Sequence, residues 1–119
     1  DTNSSTCFAV LHYLAEGPHG GTGLYRHKPT KFERITEARC DQYISSAKQY
    51  IEQHGEPEQG YITGSNDHFE KFYEVEYKPN RLVIYPSNLL HSVTVDKTND
   101  LSSDPKNGRL TANIFFEFK

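Results

Sequence analysis

The stretch Arg109 to Phe118 reads with a period of two, and that pattern constrains the chain more than any other. Leu110, Ala112, Ile114, Phe116 and Phe118 fall on one side, and Arg109, Thr111, Asn113, Phe115 and Glu117 on the other. Alternation of this kind belongs to a strand, whose successive side chains leave opposite faces. An apolar side so continuous needs a cover, so the fold must be layered around β structure.

The 119 residues set the scale of that fold: one domain, 1–119, with one modest core. Hydrophobic residues are 34% and mean hydropathy is -0.77, so apolar material is concentrated in a few segments. Tyr 8 and Phe 7 supply much of it and argue against disorder. No apolar run is long enough to span a membrane. A net charge of -3 and a pI near 6.1 lack the basic surplus of a nucleic-acid binder. Met 0 suggests a processed chain or a fragment, and Asp1–Ser5 lacks the basic start and apolar stretch of a signal peptide. The expectation is a domain that begins upstream. Cys7 and Cys40 make no disulfide framework and read as reduced thiols packed as small apolar groups. Cytoplasmic location is the default, and Asn3-Ser4-Ser5 is a lone glycosylation sequon.

Further strands are expected over Thr6–Leu14, Thr22–Lys28, Phe69–Tyr77, Arg81–Tyr85 and Leu89–Val95. The first two read as a hairpin with a long loop through Gly17-Pro18-His19-Gly20-Gly21. Thr36–His54 is helical, with Cys40, Tyr43, Ile44, Ala47, Tyr50 and Ile51 on one stripe, Thr36 as N-cap and Gly55 as stop. Glu56–Asn66 and Asp96–Gly108 are polar loops. Short strands with one inserted helix suggest a mainly β, jelly-roll or barrel-like fold, the helix covering part of the last strand's apolar side.

Two residues at strand starts carry distinctive chemistry. His91 follows the turn Pro86-Ser87-Asn88, and Arg109 follows Gly108. Imidazole is the commonest metal ligand. Guanidinium offers a planar fork for a carboxylate. A half-buried structural histidine and a salt-bridged rim arginine satisfy the same pattern.

The order Tyr13-Leu14, Gly20-Gly21-Thr22-Gly23-Leu24-Tyr25, Asn80–Ser87 leading to His91-Ser92-Val93, and Gly108-Arg109-Leu110-Thr111 leading to Phe115-Phe116 is distinctive as a set. It resembles the C-terminal half of Fe(II)/2-oxoglutarate-dependent oxygenases of the prolyl-hydroxylase-like group, over most of the chain outside 36–66. The resemblance implies a double-stranded β-helix and a two-His-one-carboxylate iron site. It implies that His91 is the distant His ligand. Asp1 stands where the Asp of His-x-Asp would fall, with its His two positions upstream; a solvated terminal residue is the alternative. Arg109 matches the arginine that binds the distal carboxylate of 2-oxoglutarate, with Thr111 beside it on one strand face. Tyr13 matches a tyrosine at the same end, or is an aromatic core residue. From His91 to Arg109 is 109 − 91 = 18 positions, longer than most members show, and the loop Asp96–Gly108 absorbs it.

The implied activity couples decarboxylation of 2-oxoglutarate, giving succinate and carbon dioxide, to hydroxylation of a small-molecule or peptide substrate. Neither nucleic acid nor membrane is an expected partner, and substrate identity and oligomeric state are not legible. A non-catalytic cupin-like binding module and an interaction fragment with an apolar partner face are the competing readings. Other signals are weaker. Ser92 and His91 point to opposite faces and make no hydrolase pair. The Gly17–Gly21 turn lacks the Lys of a phosphate loop, and Glu70, Glu74 and Glu76 read as a solvated edge.

Overall fold

The computed structural model describes residues 7–55, 64–96, 100 and 108–117. Along the chain run β1 (Cys7–Tyr13), β2 (Thr22–His27), α1 (Glu37–His54), β3 (Phe69–Val75), β4 (Leu82–Pro86), β5 (His91–Val93) and β6 (Thr111–Glu117). The strands form two antiparallel three-stranded sheets, ordered β4-β1-β6 and β3-β2-β5. The described residues are therefore mainly β with one helix, as expected, and each element lies within a few residues of its expected span.

The pairing differs from the sequence reading. β1 and β2 are not a hairpin: β1 pairs with β4 and β6, while β2 pairs with β3 and β5. The same Gly-Pro-rich turn that could reverse a strand within a sheet carries the chain from one sheet to the other. His91 opens β5 and Arg109 precedes β6, strands that lie in different sheets.

Directly opposed residues share a face, so the registers show which side chains look inward. In the first sheet Ala9, Leu11 and Tyr13 are buried, and Ala9 and Leu11 face Tyr85 and Val83 of β4. With Tyr77 they form the core, against which Val75, Val83 and Leu89 pack. On β6 the inward residues are Thr111, Asn113 and Phe115, the partners of Tyr13, Leu11 and Ala9. The Thr111–Asn113–Phe115 side of β6 thus shares the core face of β1, although Phe115 there is 69% exposed, and the Ala112–Ile114–Phe116 side shares the opposite face. Ile114 is 62% exposed, and Leu82 and Ile84 share that outer face. Phe8 and Phe116 stack there at 5.8 Å.

The helix does not supply the expected cover. It meets the other sheet, through Tyr43 on His27 at 4.7 Å and Tyr50 on His68 at 4.3 Å. No helical residue is fully buried. Thr36 holds the N-cap position in extended backbone without a side-chain cap bond, and Gly55, at φ 84, ends the helix by donating to Ile51 O. Cys40 lies on the exposed face of α1 rather than in a core, and Cys7 is half-buried; both thiols are free.

Candidate functional site

The site is assembled around Tyr13, the last residue of β1, which is 0% exposed. Its hydroxyl bonds Thr22 Oγ1 at 2.7 Å and so links the two sheets. The Tyr77 ring packs on it at 4.4 Å, and Tyr77 donates its hydroxyl to Ala15 O at 2.7 Å. Burial raises the Tyr77 pKa above the usual phenol value, and the nearby Arg109 charge opposes this only in part. Tyr77 therefore works as a neutral donor and an aromatic wall.

Arg109 enters over these two rings, its guanidinium carbon 5.5 Å from the Tyr13 centroid and 5.7 Å from that of Tyr77. Such cation–ring contacts favour the guanidinium where water is partly excluded. Nε donates to Gly20 O at 2.8 Å and Nη2 to Gly21 O at 3.3 Å. One edge of the guanidinium is thereby fixed on backbone carbonyls. The other, formed by Nη1 and the second hydrogen of Nη2, has no hydrogen-bond partner among the described residues. Nor does any carboxylate among them lie within ion-pair distance of Arg109. The edge without a partner among the described residues has the two-donor geometry that suits a carboxylate.

The perch requires both glycines. A Cβ on Gly20 would sit 1.4 Å from Thr94 O, and one on Gly21 would sit 1.9 Å from Val75 O. Thr111 lies opposite Tyr13 in the β1–β6 ladder, hence on the same inward face. Its hydroxyl accepts from Asn113 Nδ2 at 3.5 Å, which leaves its own proton to donate.

His91 stands on the second sheet with an exposed ring. It is the ladder partner of Leu24, two residues after the inward-facing Thr22. Its ring meets Tyr85 at 4.8 Å. Its Nδ1 contacts Leu89 O at 2.7 Å, and since a carbonyl only accepts, Nδ1 carries the hydrogen. The exposed ring then offers the Nε2 lone pair outward, the arrangement that orients metal-binding histidines. Gly21, which Arg109 contacts, and Leu24, the ladder partner of His91, are three residues apart, roughly 10 Å of extended chain.

Of the five residues singled out from sequence, Tyr13, Thr111 and Arg109 thus lie together, and His91, exposed, meets the core through the Tyr85 ring. The fifth, Asp1, lies outside the described residues, as does most of the loop Asp96–Gly108. Among the described residues no three His, Cys, Asp or Glu side chains converge as a metal-binding group. Sequence reasoning missed Tyr77, His19 and Asp100. His19 Nδ1 donates to Asp100 Oδ1 at 2.7 Å, both side chains 3% exposed. The visible signal was only the dense Gly17–Gly21 turn; the partner lies 81 positions away.

The chain belongs to the family of unknown function DUF6445, whose model matches residues 1–116. No curated protein and no solved structure matches the chain. No helix among the described residues is long and apolar enough to cross a membrane.

Proposed function

We propose that this chain is the C-terminal part of a double-stranded β-helix of an Fe(II)- and 2-oxoglutarate-dependent oxygenase. The observation that carries this reading is Arg109, tethered on two carbonyls with no carboxylate partner among the described residues, together with an exposed imidazole whose Nδ1 is held by Leu89 O and whose Nε2 has no partner among them. Strand order supports it. A jelly roll passes its chain between two facing antiparallel sheets, and here β1, β4 and β6 lie in one sheet and β2, β3 and β5 in the other.

His91 would hold the iron through Nε2, together with Asp1 and a histidine two positions before it. The donor chemistry of His91 fits the metal. The iron and 2-oxoglutarate supply the oxidation: the co-substrate loses carbon dioxide, one atom of O2 enters succinate, and the other converts a substrate C–H to an alcohol. The residues of this chain bind and orient. Arg109 holds the far carboxylate of 2-oxoglutarate by its free edge, and the Thr111 hydroxyl donates to the same group. The Tyr13 and Tyr77 rings keep that end dry, which strengthens the charged hydrogen bonds.

The test is succinate formation by the full-length protein given Fe(II), 2-oxoglutarate and oxygen. The expected result is slow conversion without added substrate, lost in His91→Ala. Absence of conversion and of 2-oxoglutarate binding in the unmodified protein would replace this reading with a cupin-like binding module.

A further inference from the structure

The arginine perch is itself held by a buried acid. Asp100 accepts from His19 Nδ1 at 2.7 Å and from Gly20 N at 3.1 Å, the latter at Oδ2. Asp96 N also donates to Oδ2, at 2.7 Å. The carboxylate is thus spent on three N–H donors and forms no ion pair with Arg109. On the far side of the same residue, Gly20 O accepts from Arg109 Nε, and Gly21 O accepts from both Arg109 Nη2 and Thr94 N. The His19 ring also meets the Tyr77 ring edge-on at 5.1 Å, and Tyr77 is one of the two rings beneath Arg109.

We propose that Asp100 is a positioning residue for the anion-binding arginine: by fixing His19 and the Gly20 amide, it sets the two carbonyls that aim Arg109 at its ligand. Its charge also has a consequence. A carboxylate bound to Arg109 itself would fill the free edge and neutralise the cation. Placed behind the peptide, the same carboxylate stiffens the perch and leaves the guanidinium open. The carboxylate class of ligand rests on the proposed function; the positioning role does not.

Two readouts separate them in the full-length protein. The first is the nitrogen-15 resonance of Arg109 Nε–H, assigned by its loss in Arg109→Lys. The second is calorimetric titration with 2-oxoglutarate, with Mn(II) in place of iron. Asp100→Asn keeps the shape and removes the charge; His19→Asn removes one bond and is the milder variant. The expected result is faster hydrogen exchange at Arg109 Nε in both variants, with 2-oxoglutarate affinity about ten-fold weaker in Asp100→Asn, the loss of one charge-assisted hydrogen bond. An unchanged Nε–H signal and exchange rate in both variants overturns the positioning role, whatever the affinity does. If the unmodified protein binds no 2-oxoglutarate but Nε–H still responds to Asp100, the positioning role stands and the oxygenase reading fails.

Discussion

The bond between Tyr13 and Thr22 offers a stringent check on how the two sheets are joined. The two hydroxyls lie 2.7 Å apart, on residues 0% and 2% exposed. Neither has another hydrogen-bond partner among the described residues. Tyr13→Phe leaves the Thr22 hydroxyl buried and unpaired, and Thr22→Val, nearly isosteric, leaves the Tyr13 hydroxyl in the same condition. Each should cost about 1–3 kcal/mol, the penalty of an unsatisfied buried polar group more than the net worth of one bond. The double variant removes both groups and should cost much less than the sum, with a coupling on the order of 1–2 kcal/mol. Urea unfolding measures this as midpoint shifts at constant slope. Single-variant costs that add to within about 0.5 kcal/mol would refute the inter-sheet bond.

Other perturbations follow from the same geometry. Burial, and then the neighbouring His68, lower the His27 pKa from 6.5. The unfolded chain therefore takes up the proton first, and the contribution is whole above the unfolded value and lost as pH falls through it. Unfolding midpoints measured from pH 8 to pH 5 should decline on the acid side, and less so in His27→Phe. Gly20→Ala drives a Cβ into Thr94 O and should destabilise by about 3 kcal/mol or more, seen as a large drop in thermal midpoint. Tyr77→Phe keeps the ring against Arg109 and loses only the bond to Ala15 O. It should cost about 1–2 kcal/mol in urea while leaving 2-oxoglutarate affinity within about two-fold.

Element positions were legible because local pattern determines them. The stripe Cys40–Ile51 marked the helix, and the alternation of Arg109–Phe118 marked the last strand. Partnership was not legible. A period of two separates the faces of a strand without saying which one is inside. On β6 the apolar face was expected to be covered, but register puts Thr111, Asn113 and Phe115 on the core face of β1 and leaves Ile114 62% exposed on the other. The turn before Thr22 reads the same whether it closes a hairpin or crosses between sheets. His91 and Arg109 stood out as unusual residue types at strand starts. Tyr77 resembled any strand tyrosine, and the roles of Gly20 and Gly21 depend on Arg109 in a segment 89 and 88 positions away.

The central claim is that Arg109 and His91 serve two ends of one ligand. Calorimetry of 2-oxoglutarate with Mn(II) in the full-length protein tests it through the two alanine variants. Arg109→Ala should weaken 2-oxoglutarate binding on the order of ten- to a hundred-fold, as expected for a charged hydrogen-bond pair of about 1.5–3 kcal/mol, with metal affinity nearly unchanged. His91→Ala should instead lower metal affinity by at least about ten-fold. Binding of 2-oxoglutarate by Arg109→Ala at unmodified affinity would contradict the account.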